Sequence, residues 1–276
     1  MDWLDKAFAA AGAAAWGGAA FSDLAGHMSP AARAEAERLC PRPRTVLAAA
    51  FPYYAGDRPG NLSLYARGAD YHAVITRRMN TVCEVLVEKY PRESFFPAAD
   101  SSPLPEREAA WRAGIGLRGM NGLLILPPYG TYVFLGTILT GAALDLPARP
   151  PAPDCPNCGA CRAACPAGAL EAGGPDPSRC LSELTQRKGA LTAEEEARLR
   201  AHPLIWGCDF CQRACPFNAA PARSPLPEFS AGLVDSLGPA DLEGLTNRTF
   251  REKYGDRAFA WRGPGPLRRN LSLKEE

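Results

Sequence analysis

The residues best suited to chemistry are eight cysteines that lie within 155–215. The first run has two residues between its first three thiols, three before the fourth and a proline directly after it: Cys155, Cys158, Cys161 and Cys165. Bacterial ferredoxins have this spacing, in which three thiolates hold one [4Fe–4S] cluster and the fourth binds a second cluster. A second run repeats the motif with one cysteine fewer: Cys208, Cys211 and Cys215.

The number of thiols suits two clusters. Two four-iron clusters need eight thiolates, and the eighth is Cys180, between the two runs. By the crossing rule, the first cluster is expected to use Cys155, Cys158, Cys161 and Cys215. The second cluster is expected to use Cys165, Cys180, Cys208 and Cys211. Two clusters in series predict electron transfer to a further redox centre or substrate.

Structural zinc is the alternative, because two sites of four cysteines would use the same eight thiols. A third cysteine follows each C-x2-C pair, proline follows each run, and small residues surround the first run. These features favour iron–sulfur clusters. Cys40 and Cys83 lie outside this region, and we expect both to be small core residues. The histidines show no pair spacing for a metal: His27, His72 and His202.

Length and composition bound the class of protein. The chain has 276 residues, of which 46% are hydrophobic and 22% charged, with a formal net charge of +1. These values predict one or two folded domains and exclude a disordered or strongly basic protein, although not a local basic patch. Apolar runs fall short of the ~20 residues of a membrane helix, and the alanine-rich N-terminus lacks a basic leader. We therefore expect a cytoplasmic monomer with no membrane partner, where cysteines bind metals more often than they form disulfides.

Apolar periodicity predicts the elements that must position these cysteines. Helices are expected over 2–11, 70–90 and 106–113, and strands over 45–51, 123–126 and 132–139. Proline-rich connectors lie at 146–156 and 221–227. We therefore expect a mixed α/β domain over 1–150, a cluster domain over 151–224 and a short basic tail over 225–276.

Several motifs, taken in order, resemble those of the epoxyqueuosine reductases, which are cobalamin-dependent iron–sulfur enzymes related to the reductive dehalogenases. The similarity covers about residues 1–271. It is carried by YARGADYH at 65–72, the acid-bearing stretch Asp100-Ser-Ser-Pro-Leu-Pro-Glu-Arg107, AGIGLRGMNGLLI at 113–125, GTYVFLG at 130–136, both cysteine runs, Arg179-Cys180 and Lys188-Gly189.

This resemblance implies a fold and a function. The fold is an α/β (α+β) corrin-binding domain followed by a ferredoxin-like double [4Fe–4S] domain. The reaction is reduction of the epoxide of epoxyqueuosine in tRNA to queuosine, with cobalamin and with electrons from a small donor such as flavodoxin or ferredoxin. Asp100 is then the acid that protonates the departing oxygen, and a buried carboxyl beside apolar corrin is expected to keep its proton. The alternative role for Asp100 is a helix cap or turn residue before Pro103.

The resemblance also implies contacts to the corrin from the stretch 119–138. The candidates are Asn121, Leu124, Leu135 and Ile138, with Asp209 approaching from the cluster side. The alternative is that these positions are simply core or turn residues. Met120 stands where the family usually has lysine, and Thr137 where it often has glutamate. The C-terminal helical-repeat module of longer relatives, which helps to grip tRNA, is expected to be absent.

A second candidate RNA surface lies near the end of the chain. Residues 247–270 contain seven basic and two acidic residues, with Tyr254, Phe259 and Trp261 between them. Basic residues would contact phosphates, and aromatic residues would stack on unpaired bases of an anticodon loop. The candidates for RNA contact are Lys188, Arg268 and Arg269. The alternative is a solvated helix face whose aromatic residues anchor it to the cluster segment.

Two other functions remain open from the sequence. A reductase with the same cofactors would act on a free nucleoside or another small electrophile. A corrin-free electron carrier would need neither Asp100 nor the glycine-rich stretch 114–136. Corrin binding separates the electron carrier from the enzymes, and dependence on RNA separates the two enzymes.

Overall fold

The computed structural model describes residues 2–147, 149–171 and 174–275. The helices are α1 Asp2–Ala10, α2 Phe21–Ala25, α3 Pro30–Leu39, α4 Tyr71–Lys89, α5 Glu106–Arg112, α6 Ala160–Ala163, α7 Leu181–Gln186, α8 Ala193–Ala201, α9 Phe210–Arg213, α10 Pro227–Ser230, α11 Pro239–Leu242, α12 Asn247–Tyr254 and α13 Pro264–Glu275. The strands are β1 Ala15–Ala20, β2 Thr45–Pro52, β3 Phe95–Ala98, β4 Leu117–Arg118, β5 Leu124–Ile125, β6 Val133–Thr140, β7 Leu170–Glu171 and β8 Gly174–Pro175. Across these ranges, every helix is too short or too polar to cross a bilayer.

A four-stranded antiparallel sheet in the order β1-β2-β6-β3 organises the first half of the chain. All eight residues of β2 are buried, because apolar clusters cover both faces of the sheet. Alternate side chains of a strand point to opposite faces, so Leu47 joins the cluster with α1 and α4, and Val46 joins the cluster with α5. The mixed α/β class expected from the sequence is confirmed.

Strands β1 and β3 were not among the predicted elements. β1 reads AWGGAA and lacks the β-branched residues that signal a strand, yet it pairs with β2 along its whole length. Gly17 allows the end of helix α5 to approach closely, since a Cβ at this position would lie 2.4 Å from the carbonyl oxygen of Ala113. Packing, rather than local propensity, makes this segment a strand.

Residues 225–275 fold into short helices that pack on the rest of the protein, whereas a short basic tail was expected. A third apolar cluster contains Phe250 of α12, Phe259 of the turn that follows it and Leu267 of α13, together with Leu62 and Trp206 from earlier in the chain. The sequence did not predict this packing, because basic residues dominate the composition of the segment and its apolar residues lie on the inner faces of short helices. The segment therefore contributes to the stability of the fold.

Replacing Phe259 by alanine is expected to destabilise the protein by about 3–5 kcal/mol, because the fully buried ring would leave a cavity in the third cluster. Anaerobic denaturant unfolding would measure this change. The matched control is Trp261→Ala, which removes an aromatic ring that is 55% exposed and should cost less than about 1 kcal/mol. Equal losses for the two variants would contradict the placement of Phe259.

Candidate active site and cluster centres

The predicted thiols are near neighbours in the structure, and most of the charge interactions among them link members of the same expected ligand set. Burial raises the pKa of Cys215, and the nearby Cys161, Cys158 and Cys155 raise it further. This places the last cysteine of the second run beside the first three of the first run, as the crossing rule requires.

The second set is assembled in the same way. Burial raises the pKa of Cys211 to about 12, with further contributions from Cys180, Cys165 and, more weakly, Cys161. Burial also raises the pKa of Cys208 to about 12, with Cys211 and Cys180 as its neighbours. The charge of Cys161, in the first set, also raises the pKa of Cys211, in the second set, so the two sets are adjacent.

Main-chain N–H groups point at several of these sulfurs. The N–H of Met120 donates to Sγ of Cys155 at 3.3 Å, and that of Ala169 donates to Sγ of Cys165 at 3.3 Å. Such bonds stabilise the thiolate form that a cluster needs and tune its potential. Among the described residues, no group of three or more His, Cys, Asp or Glu side chains converges on a point that a single metal ion could fill. The donor set, two neighbouring groups of four thiols with N–H···S support, suits two four-iron clusters.

A buried polar network ties the cluster segment to the end of the sheet. The hydroxyl groups of Tyr53 and Thr131 donate to Oε1 of Gln212 at 3.1 and 3.0 Å. The side chain of Asn218 accepts from the N–H of Thr131 at 2.8 Å and donates to its hydroxyl oxygen at 2.7 Å. Gly130 must be glycine here, because a Cβ would lie 1.8 Å from Asn218 Oδ1. The network holds the second cysteine run against the α/β domain.

Asp100 lies in the turn between β3 and α5, with a positive φ of 56° that aspartate tolerates better than most residues. The hydroxyl group of Tyr71 donates to its carboxylate, and Nε2 of His72 lies 3.5 Å from the same oxygen. The carboxylate is 65% exposed. Asp100 is not the cap of the following helix, since Pro105 occupies that position.

The charges around Asp100 differ from those expected. Partial desolvation by the surrounding residues raises the pKa of Asp100, but hydrogen bonds from His72 and Tyr71 outweigh it and leave that pKa below its usual value. Burial lowers the pKa of His72, but the carboxylates of Asp100 and Asp70 outweigh it and raise that pKa to about 9. Both shifts favour a carboxylate at Asp100 and an imidazolium at His72 at neutral pH. The expectation of a neutral Asp100 concerned a carboxyl beside corrin and stays a prediction; the partners of Asp100 in this structure are cationic or hydrogen-bond donors, which favour its carboxylate form.

Glu106 fixes the main chain of Asp100. Both of its carboxylate oxygens accept the N–H of Asp100, at 2.9 and 3.0 Å. One of them also lies 3.4 Å from the hydroxyl groups of Ser102 and Thr137. Burial raises the pKa of Glu106 to about 7, and the charge of Asp100 contributes to the rise. Thr137 thus supports the same loop from strand β6.

Sequence reasoning missed Tyr71 and Glu106 and left His72 without a role. Two signals were present. Tyr71 and His72 stand together in the motif at 65–72, directly after Asp70, whose side chain caps α4. Glu106 lies in the first turn of α5, six residues after Asp100. Only the fold shows that these groups meet.

The raised pKa of Glu106 predicts a pH-dependent stability. Its folded-state pKa of about 7 exceeds the ordinary 4.5, so the stability it contributes is full below pH 4.5 and is lost as the pH rises through 7. Relative to Glu106→Gln, which does not titrate, the wild type should lose on the order of 3 kcal/mol over that interval. Anaerobic unfolding at several pH values would measure the difference. Parallel stability curves for the two proteins would contradict it.

The residues predicted to contact the corrin differ in burial and do not all lie on the same face of the sheet. Asn121 is 7% exposed; its Oδ1 accepts the N–H of Leu123 at 3.2 Å, while its buried Nδ2 has no acceptor among the described residues. Leu124 is buried and Leu135 half-buried in the cluster that also contains α5. Ile138 is fully buried on the opposite face of the sheet. The structure does not bring Leu135 and Ile138 together, because the strand pleat separates them.

The carboxylate of Asp209, the remaining corrin candidate, is buried and turned inward. It accepts from the hydroxyl group of Ser63 at 2.5 Å and from the N–H of Leu64 at 3.0 Å. These bonds attach the second cysteine run to the loop that precedes α4.

The candidate RNA residues are also separated by the fold. Lys188 is exposed. Arg268 donates to the carbonyl oxygens of Leu242 and Leu245, and Arg269 donates to those of Leu184, Arg187 and Gly189. Both arginines therefore hold main-chain segments together. Tyr254 and Phe259 are buried in the third cluster, as expected for aromatic anchors, whereas Trp261 is exposed.

Two regions of the chain match known protein families. Residues 154–218 match the 4Fe-4S double cluster binding domain. Residues 33–101 match the family described as epoxyqueuosine reductase QueG, DUF1730. The first region contains all eight thiols, and the second ends one residue after Asp100.

Individual relatives extend the similarity over most of the chain. An epoxyqueuosine reductase from Bacillus cereus is 35% identical over 258 residues, which are 87% of this chain and 66% of that protein. One from Synechococcus is 33% identical over 264 residues, 91% of this chain and 79% of that protein. The chain thus spans slightly less than two thirds of the Bacillus cereus protein's length.

A solved structure supports the same comparison. A crystal structure of epoxyqueuosine reductase with a tRNA-Tyr epoxyqueuosine-modified stem loop superposes with a TM-score of 0.83 at 27% identity. The superposition covers 99% of this chain and 80% of that one.

Proposed function

The chain belongs to the epoxyqueuosine reductase family, and from this we propose that it reduces the epoxide of epoxyqueuosine in tRNA to give queuosine. Two [4Fe–4S] clusters and cobalamin would carry the electrons, which a small donor such as flavodoxin or ferredoxin would supply. A relative has been crystallised with a modified tRNA stem loop, which supports RNA as the partner.

The arrangement at Asp100 is the observation that carries this proposal. An epoxide opened without a proton leaves an alkoxide, and a positioned acid lowers that barrier. Asp100 has the hydroxyl group of Tyr71 on its carboxylate and His72 at 3.5 Å. The proton for the departing oxygen would be held by the Asp100–His72 pair, with Tyr71 and Glu106 orienting the carboxylate.

Cobalamin would, when bound, supply a nucleophilic or one-electron cobalt centre. The buried Nδ2 of Asn121 lacks an acceptor among the described residues, and an unpaired buried donor is costly unless a ligand meets it. The amide oxygens at the rim of a corrin would suit it. Leu124 and Leu135 would offer apolar contact from the same cluster. Ile138 would act only through the packing of the sheet, and Asp209 through the position of the second cysteine run.

The eight thiols would hold the clusters in the two sets expected from their spacing, and the proximity of Cys215 to Cys155, Cys158 and Cys161 supports this division. Since N–H of Met120 bonds to Cys155, the chain beside Asn121 directly contacts a first-cluster ligand. This continuity supports electron flow from the clusters toward the corrin.

Anaerobic reconstitution tests the proposal. We expect about eight irons per chain, a bound cobalamin whose visible spectrum changes on reduction, and conversion of epoxyqueuosine to queuosine in tRNA. The same iron content without cobalamin binding would indicate an electron carrier. Equal turnover of the free nucleoside and the tRNA would indicate the small-electrophile reductase. Zinc in place of iron would overturn the assignment.

A further inference from the structure

The third cluster leaves one aromatic side chain of the basic segment available to a ligand. Trp261 is 55% exposed, whereas Tyr254 and Phe259 are buried. Its indole N–H donates to Oε1 of Gln186 at 3.1 Å, which orients the ring. An oriented and exposed indole is suited to stacking on a planar group.

A basic pocket of about 390 Å³ lies beside this tryptophan. Its cations are Arg187, Lys188, Arg262 and Arg269, and none of the described residues that line it is acidic. Gly265 and Pro266, in the first turn of α13, complete the wall. The N-terminus of this 12-residue helix adds partial positive charge, which favours an anion.

Part of the positive charge in this pocket is uncompensated. Arg187 pairs with Glu195, but Arg269 donates to neutral carbonyl oxygens. Burial lowers the pKa of Arg269 and the charge of Arg187 lowers it further, which the carboxylates of Glu196 and Glu195 offset only in part. The buried Nε of Arg262 has no acceptor among the described residues. An anion in the pocket would relieve this repulsion.

Arg262 connects the pocket to the tryptophan. Its guanidinium carbon lies 3.7 Å from the centre of the Trp261 ring, a cation–π contact. A planar base on the exposed indole and a phosphate in the pocket would therefore be neighbours, as they are within one nucleotide.

We propose that Trp261 and the basic pocket form a nucleotide-binding subsite for single-stranded RNA. The pocket binds a backbone phosphate, and the indole stacks on the adjacent unpaired base. A loop suits this site better than a duplex, because bases in a duplex are already stacked and paired. That the RNA is the anticodon loop of a tRNA rests on the proposed function.

Binding of a synthetic anticodon stem-loop with unmodified guanosine at the wobble position tests the subsite, using the reconstituted full chain. Trp261→Ala should weaken binding roughly 5- to 100-fold and leave its salt dependence unchanged. Lys188→Ala should also weaken binding and should reduce the slope of log K against log salt by about 0.7. The matched control is Arg251→Ala, an exposed cation on α12 outside the pocket, which should bind within about twofold of wild type.

Three results would overturn the subsite: no binding by the wild type, wild-type binding by Trp261→Ala, or equal losses for Arg251→Ala and Lys188→Ala, which would indicate a diffuse basic surface. Equal losses on a blunt duplex would exclude stacking on an unpaired base. The proposed function is judged separately by turnover. A wild type that binds the stem-loop but does not reduce epoxyqueuosine would contradict only that function, and active enzyme with unaffected variants would contradict only the subsite.

Discussion

Asp100→Asn is expected to lower kcat for epoxyqueuosine reduction by about 10²- to 10⁴-fold, the range for loss of a general acid. Asparagine has nearly the same size and retains an oxygen to accept from Tyr71, so the loop should keep its position. It cannot pass a proton from His72 to the departing oxygen. Single-turnover kinetics with modified tRNA would measure the loss.

Two companion variants separate this role from a structural one. Asp23→Asn changes an exposed carboxylate on α2 and should leave kcat unchanged. His72→Gln should lower kcat, and the double variant Asp100→Asn/His72→Gln should be little worse than Asp100→Asn, because residues that act as a unit are not additive. A fully additive double variant would contradict the shared proton, and a normal kcat for Asp100→Asn would remove the acid from the mechanism.

Cys180→Ser is expected to reduce the iron content from about eight to about four per chain and to abolish turnover, because the second cluster loses one of its four thiolates. Cys180 belongs to neither run, so this variant tests the assignment that depends most on the fold. The charge of its thiolate raises the pKa of Cys208 and Cys211, which indicates that the three sulfurs are close enough to share one cluster. Iron analysis and electron paramagnetic resonance of the reduced protein would measure the outcome.

The controls for this prediction use the chain's other cysteines. Cys40→Ser changes a buried thiol in the α/β domain and should keep all the iron, although it costs some stability. Cys215→Ser should instead remove the first cluster, because Cys215 neighbours Cys155, Cys158 and Cys161. Full iron in Cys180→Ser would show that the second cluster uses another ligand.

The sequence alone predicted the iron–sulfur chemistry, and the match of residues 154–218 to a double-cluster domain supports that prediction. Cluster ligation depends on residue type and short spacing, which are local properties of the chain, and eight thiols leave little choice of partners. Long amphipathic segments such as α4 and the fully apolar β2 were likewise predictable, because periodicity reports burial directly. The order of the motifs along the chain is sufficient to indicate the family.

The tertiary structure decided how the candidate residues act. Tyr71, Asp100 and Glu106 come from three different elements, and the ionisation of Asp100 depends on distances and burial that no spacing encodes. The fold also selected among similar residues: it buried Phe259 and exposed Trp261. The sequence alone was therefore sufficient to predict the type of chemistry. The charge and exposure of each side chain depend on its packed environment, so only the tertiary structure shows which atoms are placed to take part.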